Sequence, residues 1–358
     1  MILKFIADLY IRRLGLTTQE FAYNPQIKNI DVSVVVPVFN QETVIVSNIL
    51  SIIDNLSLNA ELLIVNDNSE DTTNPKIREF LNQYSTPPKN LAKISYYSFK
   101  RSQFETFSDH FAITRSVGRY IIEIQADMLI KESDFDKKMI KILEENLDIF
   151  MLSGRGVMPF SETLSTFALT RGNEASVNAN LLKSVLMRLR GRFKTRNLTE
   201  INSDAECKPN QINPDEILYS KEKKAGRLGR LIEDNSSYDQ SILYIGETVM
   251  RGPICFLRER YNTLGGLNTK AFFLGFDEHD LNLRARLIKN WRAAYTHVTF
   301  ESPLEDGAMR KERSIRSRID LFLAQARTRP NLRNTQIYAS AFSTERVSFD
   351  DHEIRKIT

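Results

Sequence analysis

The feature that most constrains this chain is the alternation, from Val32 to Leu152, of short apolar runs with amphipathic stretches. Val32-Ser33-Val34-Val35-Val36-Pro37, Leu62-Leu63-Ile64-Val65-Asn66, Lys93 to Phe99 and Tyr120 to Gln125 are rich in β-branched and aromatic residues. Each is too short for a core helix and reads as a strand, the most apolar of them buried on both faces. Between them, Ile45, Ile49, Ile52, Ile53 and Leu56 recur at helical period. Pro75 to Tyr84 reads as a helix with its proline in the first turn, and Gln103 to Val117 as another. A helix after Ser133, with Phe135, Met139, Ile142 and Leu143 on one face, leads to a strand over Asp148 to Leu152. This β-α-β-α-β order predicts a doubly wound, mostly parallel sheet that meets its ligands at the carboxyl ends of the strands.

With 358 residues there is room for one large α/β domain carrying an insertion. A net charge of +4 is too small to point to nucleic acid, and none is expected as a partner. Cys207 and Cys255 are far apart and match no metal-ligand spacing, which suits a reducing compartment. No run approaches the roughly 20 apolar residues of a spanning helix, and the stretch from Met1 to Tyr10 is broken by Lys4 and Asp8. The expectation is a cytoplasmic protein whose residues 1–30 form an amphipathic segment, docked on the domain or lying on a membrane surface.

The patterning changes over 155–245, read as an insertion or acceptor subdomain. Its Leu181 to Arg196 stretch is a basic amphipathic helix. That face would suit anionic lipid at the inner face of a membrane or a phosphorylated acceptor, and equally a solvated surface. Regular patterning returns at Gly252 to Leu257 and Leu264 to Leu267, and Arg310 to Arg327 is expected to be helical within a C-terminal tail over 306–358.

Three acidic positions follow strands or open a helix: Asp67, Asp127, and the group Asp277, Glu278 and Asp280. Acids of this kind meet at one edge of a parallel sheet although distant in sequence. Carboxylate oxygens suit Mg²⁺ or Mn²⁺, which bind through one or two carboxylates plus substrate phosphates. A further carboxylate could deprotonate an incoming hydroxyl.

Four segments carry a resemblance. Val34 to Asn40, with Pro37, Phe39 and Asn40, is similar to the opening strand and Pro-x-Phe/Tyr-Asn turn of the family-two glycosyltransferases. Val65-Asn66-Asp67-Asn68-Ser69-Glu70-Asp71 resembles their Val-Asp-Asp-Gly-Ser-x-Asp. Gly118-Arg119-Tyr120 followed by Gln125-Ala126-Asp127 resembles a Gly-x-Tyr strand leading to Asp-x-Asp. Gly265-Gly266-Leu267, then Asp277-Glu278-His279-Asp280-Leu281 with Arg284, looks like their Gly-Gly-Phe and Glu-Asp-x-Asp-Leu-x-x-Arg pair. The order agrees from Asp31 to Ser302. The resemblance implies a GT-A (nucleotide-diphospho-sugar transferase) fold over 31–305. The implied activity is inverting transfer from a nucleoside-diphosphate sugar to the hydroxyl of a saccharide or lipid-linked acceptor, in polysaccharide or glycoconjugate assembly.

By that resemblance Asp67 would contact the base with Asn40 and Asn66 nearby, and Asp127 would hold the Mn²⁺ or Mg²⁺ and the diphosphate. Glu278 would be the base, with Asp277 as runner-up. Gly265, Gly266 and Asp280 would shape the acceptor side. His297 is a candidate third ligand, whereas His279 reads as an exposed helix residue and Trp291 as packing. Two departures stand out. Gln125 replaces the first acid of Asp-x-Asp, and Ser108-Asp109-His110-Phe111-Ala112 stands where the family has Ala-Arg-Asn-x-Gly. Arg101 and Arg115 could still reach phosphate oxygens. Together with Arg101 to Thr106 and Arg251-Gly252-Pro253, these departures suggest a subgroup. A non-catalytic, nucleotide-binding or scaffold protein of the same fold is the alternative. A sugar-nucleotide nucleotidyltransferase is disfavoured, because Pro37 to Asn40 stands where a Gly-rich phosphate loop would be.

Overall fold

The computed structural model describes residues 15–158, 241–269, 272–273, 275, 277–302 and 353–357. The stretch from Met1 to Tyr10, most of the expected insertion with its basic helix, and the expected helix over Arg310 to Arg327 lie outside them. In chain order the first half runs β1 (Thr17–Ala22), β2 (Val32–Val38), α1 (Ile45–Asn55), β3 (Ala60–Asn66), α2 (Thr73–Gln83), β4 (Leu91–Ser98) and α3 (Glu105–Arg115). It continues with β5 (Tyr120–Glu123), β6 (Leu129–Ile130), α4 (Phe135–Glu145), β7 (Ile149–Ser153) and β8 (Val157–Met158). Then follow β9 (Ile242–Gly246), β10 (Thr248–Val249), β11 (Ile254–Leu257), α5 (Arg258–Thr263) and α6 (Asp277–Lys289). The chain closes with β12 (Arg292–Tyr295), β13 (Phe300–Glu301) and β14 (Glu353–Lys356).

Ten of these strands form one mixed sheet in the order β1-β4-β3-β2-β5-β11-β7-β12-β9-β14. The β4/β3, β3/β2, β2/β5 and β7/β12 pairs are parallel. β11 lies antiparallel between β5 and β7, so β7 and β12 run the same way as β5. This single reversal makes the carboxyl ends of β2, β3, β4, β5, β7 and β12 share one edge. β11 begins at that same edge.

The sheet is buried on both faces, as its apolar runs require. Val34, Val36, Leu62 and Ile64 pack with Ile45, Ile49 and Ile52 of α1 and with Phe135 and Met139 of α4. Val35, Leu63 and Ile121 face the other way, against Phe111 of α3 and Leu281 of α6. Helices α3 and α6 therefore cover one face, and their N-termini open at the carboxyl edge of the sheet. Among the described residues no helix is long and apolar enough to cross a membrane.

Three strands of this sheet lie in stretches expected to be outside the regular core. β1 pairs antiparallel with β4 as an edge strand, and its TTQEFA sequence is only half-buried, so it carries no apolar run. β9 falls at the end of the expected insertion and β14 in the expected tail, and they pair with each other. The strand read over Tyr120 to Gln125 ends at Glu123, because the chain leaves the ladder once the Ile124 N–H has bonded the Val35 carbonyl at 2.9 Å.

Candidate active site

The carboxyl edge brings together residues from several segments distant in sequence. The loops after β2 and β3 interlock. Asn40, at a φ of 51°, accepts the Glu70 N–H at 2.7 Å and donates its own N–H to Ser69 Oγ at 3.0 Å. Asn66 accepts the Ser69 hydroxyl at 2.5 Å and donates its amide to Ser98 Oγ at 3.0 Å. Asp67 is buried, and its carboxylate accepts from Ser102 Oγ at 2.6 Å, Gln103 N at 2.5 Å and Phe104 N at 2.8 Å. Phe104 has φ 69° and ψ 166°, backbone that is nearly reserved for glycine. The three bonds to Asp67 hold this strained residue directly ahead of α3. Pro37 and Phe39 line the same turn, half-buried.

After β5 the chain makes a turn in which Met128 N bonds Gln125 O at 3.0 Å. Asn48 of α1 fixes the turn by donating its amide to the carbonyls of Gln125 (3.1 Å) and Met128 (2.5 Å). Ala126 is buried and Asp127 half-buried on this turn. Gln125 stands where the family has the first acid of Asp-x-Asp. Its amide nitrogen donates to Glu105 Oε1 at 3.0 Å and thereby joins the turn to the start of α3.

Glu105 is the first member of an acidic cage that motif reading missed. Arg251, 10% exposed, ion-pairs with Glu105 and lies 3.3 Å from Asp109 and 3.9 Å from Glu123. Its Nη2 meets Asp277 Oδ2 at 2.6 Å and its Nε meets Glu278 Oε2 at 3.4 Å. One guanidinium thus faces five carboxylates from α3, β5 and α6. Burial pushes Asp109 well above the usual carboxylate range, and the neighbouring Glu123 adds to the rise. Burial likewise pushes Glu123 up to about 8 and Asp277 up to about 7, against the opposing pull of Arg251. Burial alone would lower the pKa of Arg251, but Asp277, Glu105 and Glu123 overcome it and raise it well above its usual value. Local signals existed: Glu105 and Asp109 are four apart, one turn of α3, and Glu123 shares the face of Ile121 two residues earlier.

The remaining expected residues divide. Asp280 and Arg284 pair at 2.8 Å, and Arg284 donates to the carbonyls of Leu264 (2.5 Å) and Gly266 (2.8 Å). Asp280 therefore supports the Gly265-Gly266 turn, whose φ values of 80° and 70° need glycine. Arg101 is exposed beside the loop that Asp67 holds. Arg115 ends α3, about 15 Å along the helix axis from Glu105. There its guanidinium lies 3.5 Å from the Phe111 ring centre, so it is not brought to the carboxyl edge. His279, expected to be exposed, is buried and 2.6 Å from Thr248 Oγ1, and burial pushes it down to about 4. Trp291 stacks on Phe150 at 6.0 Å, as packing.

His297 follows β12 to the same edge. Its Nδ1 is 3.2 Å from the Tyr295 hydroxyl and its Nε2 is 3.3 Å from Thr299 Oγ1. Burial pushes it down to about 4, leaving a neutral imidazole. Both of its nitrogens have hydroxyl partners within the chain. Glu105, Asp109 and Glu123 bring ligand atoms within 4.8 Å of one another, but the cation at that cluster is Arg251. A donor set of Asp127 with diphosphate oxygens matches what Mg²⁺ or Mn²⁺ accepts.

Residues 33–172 match the family model described as Glycosyl transferase family 2. That stretch is therefore similar to a family-two glycosyltransferase domain, and it supplies β2 to β8 of an α/β structure whose mixed sheet is of the GT-A kind. The matched stretch holds Asn40, Asp67, Gln125 and Asp127 but ends before Arg251 and the Asp277–Glu278 pair. No curated protein matches the chain. Among solved structures it is similar to S. aureus TarS 1-349, at 12% identity and a TM-score of 0.43, over 77% of this chain and 62% of that one. It is also similar to mannosyltransferase PcManGT from Pyrobaculum calidifontis in complex with GDP-Man and Mn²⁺, at 13% identity and 0.44, over 96% and 84%. GalNAc-T7 with UDP, GalNAc and Mn²⁺ matches at 10% and 0.44, over 75% of this chain and 43% of its own length.

Proposed function

We propose that this glycosyltransferase domain performs an inverting, metal-assisted transfer. The sugar moves from a nucleoside-diphosphate sugar to an acceptor hydroxyl, in polysaccharide or glycoconjugate assembly in the cytoplasm. The observation that carries the reading is the convergence, at one sheet edge, of the Asn40 and Asp67 loops, the Gln125–Asp127 turn and the Asp277–Glu278 helix start. Asn40, Asn66 and Asp67 border the nucleoside. Residues 155–245 and the Gly265-Gly266 turn serve the acceptor.

Glu278 is the general base. It is less enclosed than Asp277, which has no exposed surface and is clamped by Arg251. The Glu278 carboxylate takes the proton of the acceptor hydroxyl as that oxygen bonds to the anomeric carbon from the face opposite the diphosphate. The bond from the anomeric carbon to the diphosphate oxygen breaks, and the nucleoside diphosphate leaves with the electron pair. Mn²⁺ or Mg²⁺, when bound, neutralises charge on that leaving group. Asp127 is the residue that would hold it, and the Asn48 bonds keep the Asp127 turn in place.

Screening nucleoside-diphosphate sugars for release of free nucleoside diphosphate, with Mn²⁺ present, tests the reading. One donor or a few should be turned over, and Asp127→Ala should lower turnover by about 100-fold or more. Near-normal turnover by Asp127→Ala would sink its role. A chain that binds no nucleotide in the panel would fit a scaffold instead.

A further inference from the structure

We propose that Arg251 is the positioning residue of this site: its guanidinium holds the Asp277–Glu278 pair at the sheet edge and couples it, through Glu105, to Gln125. The inference rests on the transfer reading above, in which Glu278 takes the acceptor proton.

Arg251 comes from none of the elements that carry the acids it meets. It lies in the link between β10 and β11, whereas its partners stand on α3, β5 and α6. The fork shape matters here. Nη2 and Nε address Asp277 and Glu278, while Nη1 addresses Glu105, which in turn accepts the Gln125 amide. A planar guanidinium can satisfy several carboxylates in fixed directions, and an ammonium on a flexible stem cannot.

The backbone that presents Arg251 is itself fixed. Its carbonyl accepts from Arg155 Nη1 at 2.8 Å, and the Met250 carbonyl accepts from Ser153 Oγ at 2.9 Å. The Pro253 carbonyl accepts the Gly154 N–H at 2.7 Å. A Cβ at Gly252 would come within 2.5 Å of Arg155 Cβ, so only glycine lets the link lie this close.

Folding alone gives no reason for the arrangement. Replacing a buried ion network by apolar side chains is often neutral or stabilising. Five acids around one guanidinium leave uncompensated charge, with both Asp109 oxygens lacking a hydrogen bond. The other titratable groups facing the pair do not relieve it. His279 Nε2 lies 3.9 Å from Glu278 Oε1 but is neutral, and Tyr261 of α5 is held protonated by burial. The second cation, Arg155, points its guanidinium at the Arg251 carbonyl. Removing Arg251 would leave two adjacent carboxylates repelling each other, with nothing to fix their orientation.

The test uses the full chain with Arg251→Gln and Arg251→Lys. Since Arg251→Gln strands buried acids and can fail to fold, the double variant Asp109→Asn/Arg251→Gln is made beside it. Circular dichroism reports the fold, calorimetry the affinity for the nucleoside diphosphate, and steady-state assays kcat and KM. Carboxyl ¹³C resonances report the titration of Asp277 without turnover. Folded Gln variants should keep nucleotide affinity and lose about 100-fold in kcat, with Arg251→Lys recovering part of it. The Asp277 titration should move up by about one pH unit or more. Wild-type kcat in a folded Gln variant, an unmoved Asp277 titration, or nucleotide affinity lost in step with kcat would each overturn the proposal. If the wild type turns over no donor, the transfer reading fails, and the Asp277 titration still decides whether Arg251 holds the pair.

Discussion

Glu61 and Glu123 are both buried acids on neighbouring parts of one sheet, yet the protein treats them in opposite ways. Glu61, on β3, accepts the Ser33 hydroxyl at 2.6 Å and the Val117 N–H at 2.7 Å through one oxygen. Its other oxygen lies 3.5 Å from Lys93. Ser33 also receives the Gly118 N–H at 2.8 Å, so this one acid ties β2 and β3 to the turn before β5. Glu123, at the end of β5, shares one guanidinium with four other carboxylates, and its Oε1 has no hydrogen bond. The first acid takes two hydrogen bonds on one oxygen, has a lysine of its own beside the other, which like Glu123 Oε1 makes no hydrogen bond, and holds strands in register. The second stands in surplus charge, the arrangement that perturbs ionisation at chemical sites. Burial of an acid therefore says little about its role until its partners are counted.

Replacing Glu61 should expose this difference most. Glu61→Gln keeps the shape but loses the ion pair and one acceptor oxygen, and should cost about 1–3 kcal/mol in denaturant unfolding. A loss within error would remove the contrast. The pH dependence of stability should be the next largest effect. Glu123 and Asp277 titrate at about 8 and 7 in the folded protein, above ordinary carboxylates. The folded state thus binds more protons than the unfolded chain between roughly pH 4 and pH 8. Their contribution to stability is complete below that window, is lost as pH rises through it, and levels off above. Glu123→Gln should flatten this slope and raise Tm at pH 8 by about 2–4 °C, with no gain at pH 5. A variant as destabilised as Glu61→Gln at both pH values would place Glu123 among the structural acids.

Much of this was legible in the residues. The runs at Val32, Leu62, Lys93 and Tyr120 gave away their strands because central parallel strands must be apolar throughout. β1 escaped because an edge strand needs apolar residues on one face only, and β14 because its partner β9 lies more than a hundred residues earlier. Asp127, Asp277 and Glu278 could be put forward as candidates because they sit inside local motifs. The cage as a whole could not, since Glu105 and Asp109 on α3, Glu123 on β5 and Arg251 in the β10–β11 link are three segments that meet only when α3 packs on the sheet. Gln125 is the instructive case. As sequence it is a missing acid, and as structure it is the amide that links the Asp127 turn to that cage.

The central claim is that Glu278 takes the acceptor proton at an edge where the donor is bound by other residues. The measurement that tests it most directly is the Glu278→Gln variant, assayed in parallel for binding of the donor's nucleoside diphosphate by calorimetry and for sugar transfer. Unchanged affinity with transfer lowered by about 10²–10⁴-fold is the predicted result. Transfer at the wild-type rate, or loss of nucleotide binding in step with transfer, would contradict it.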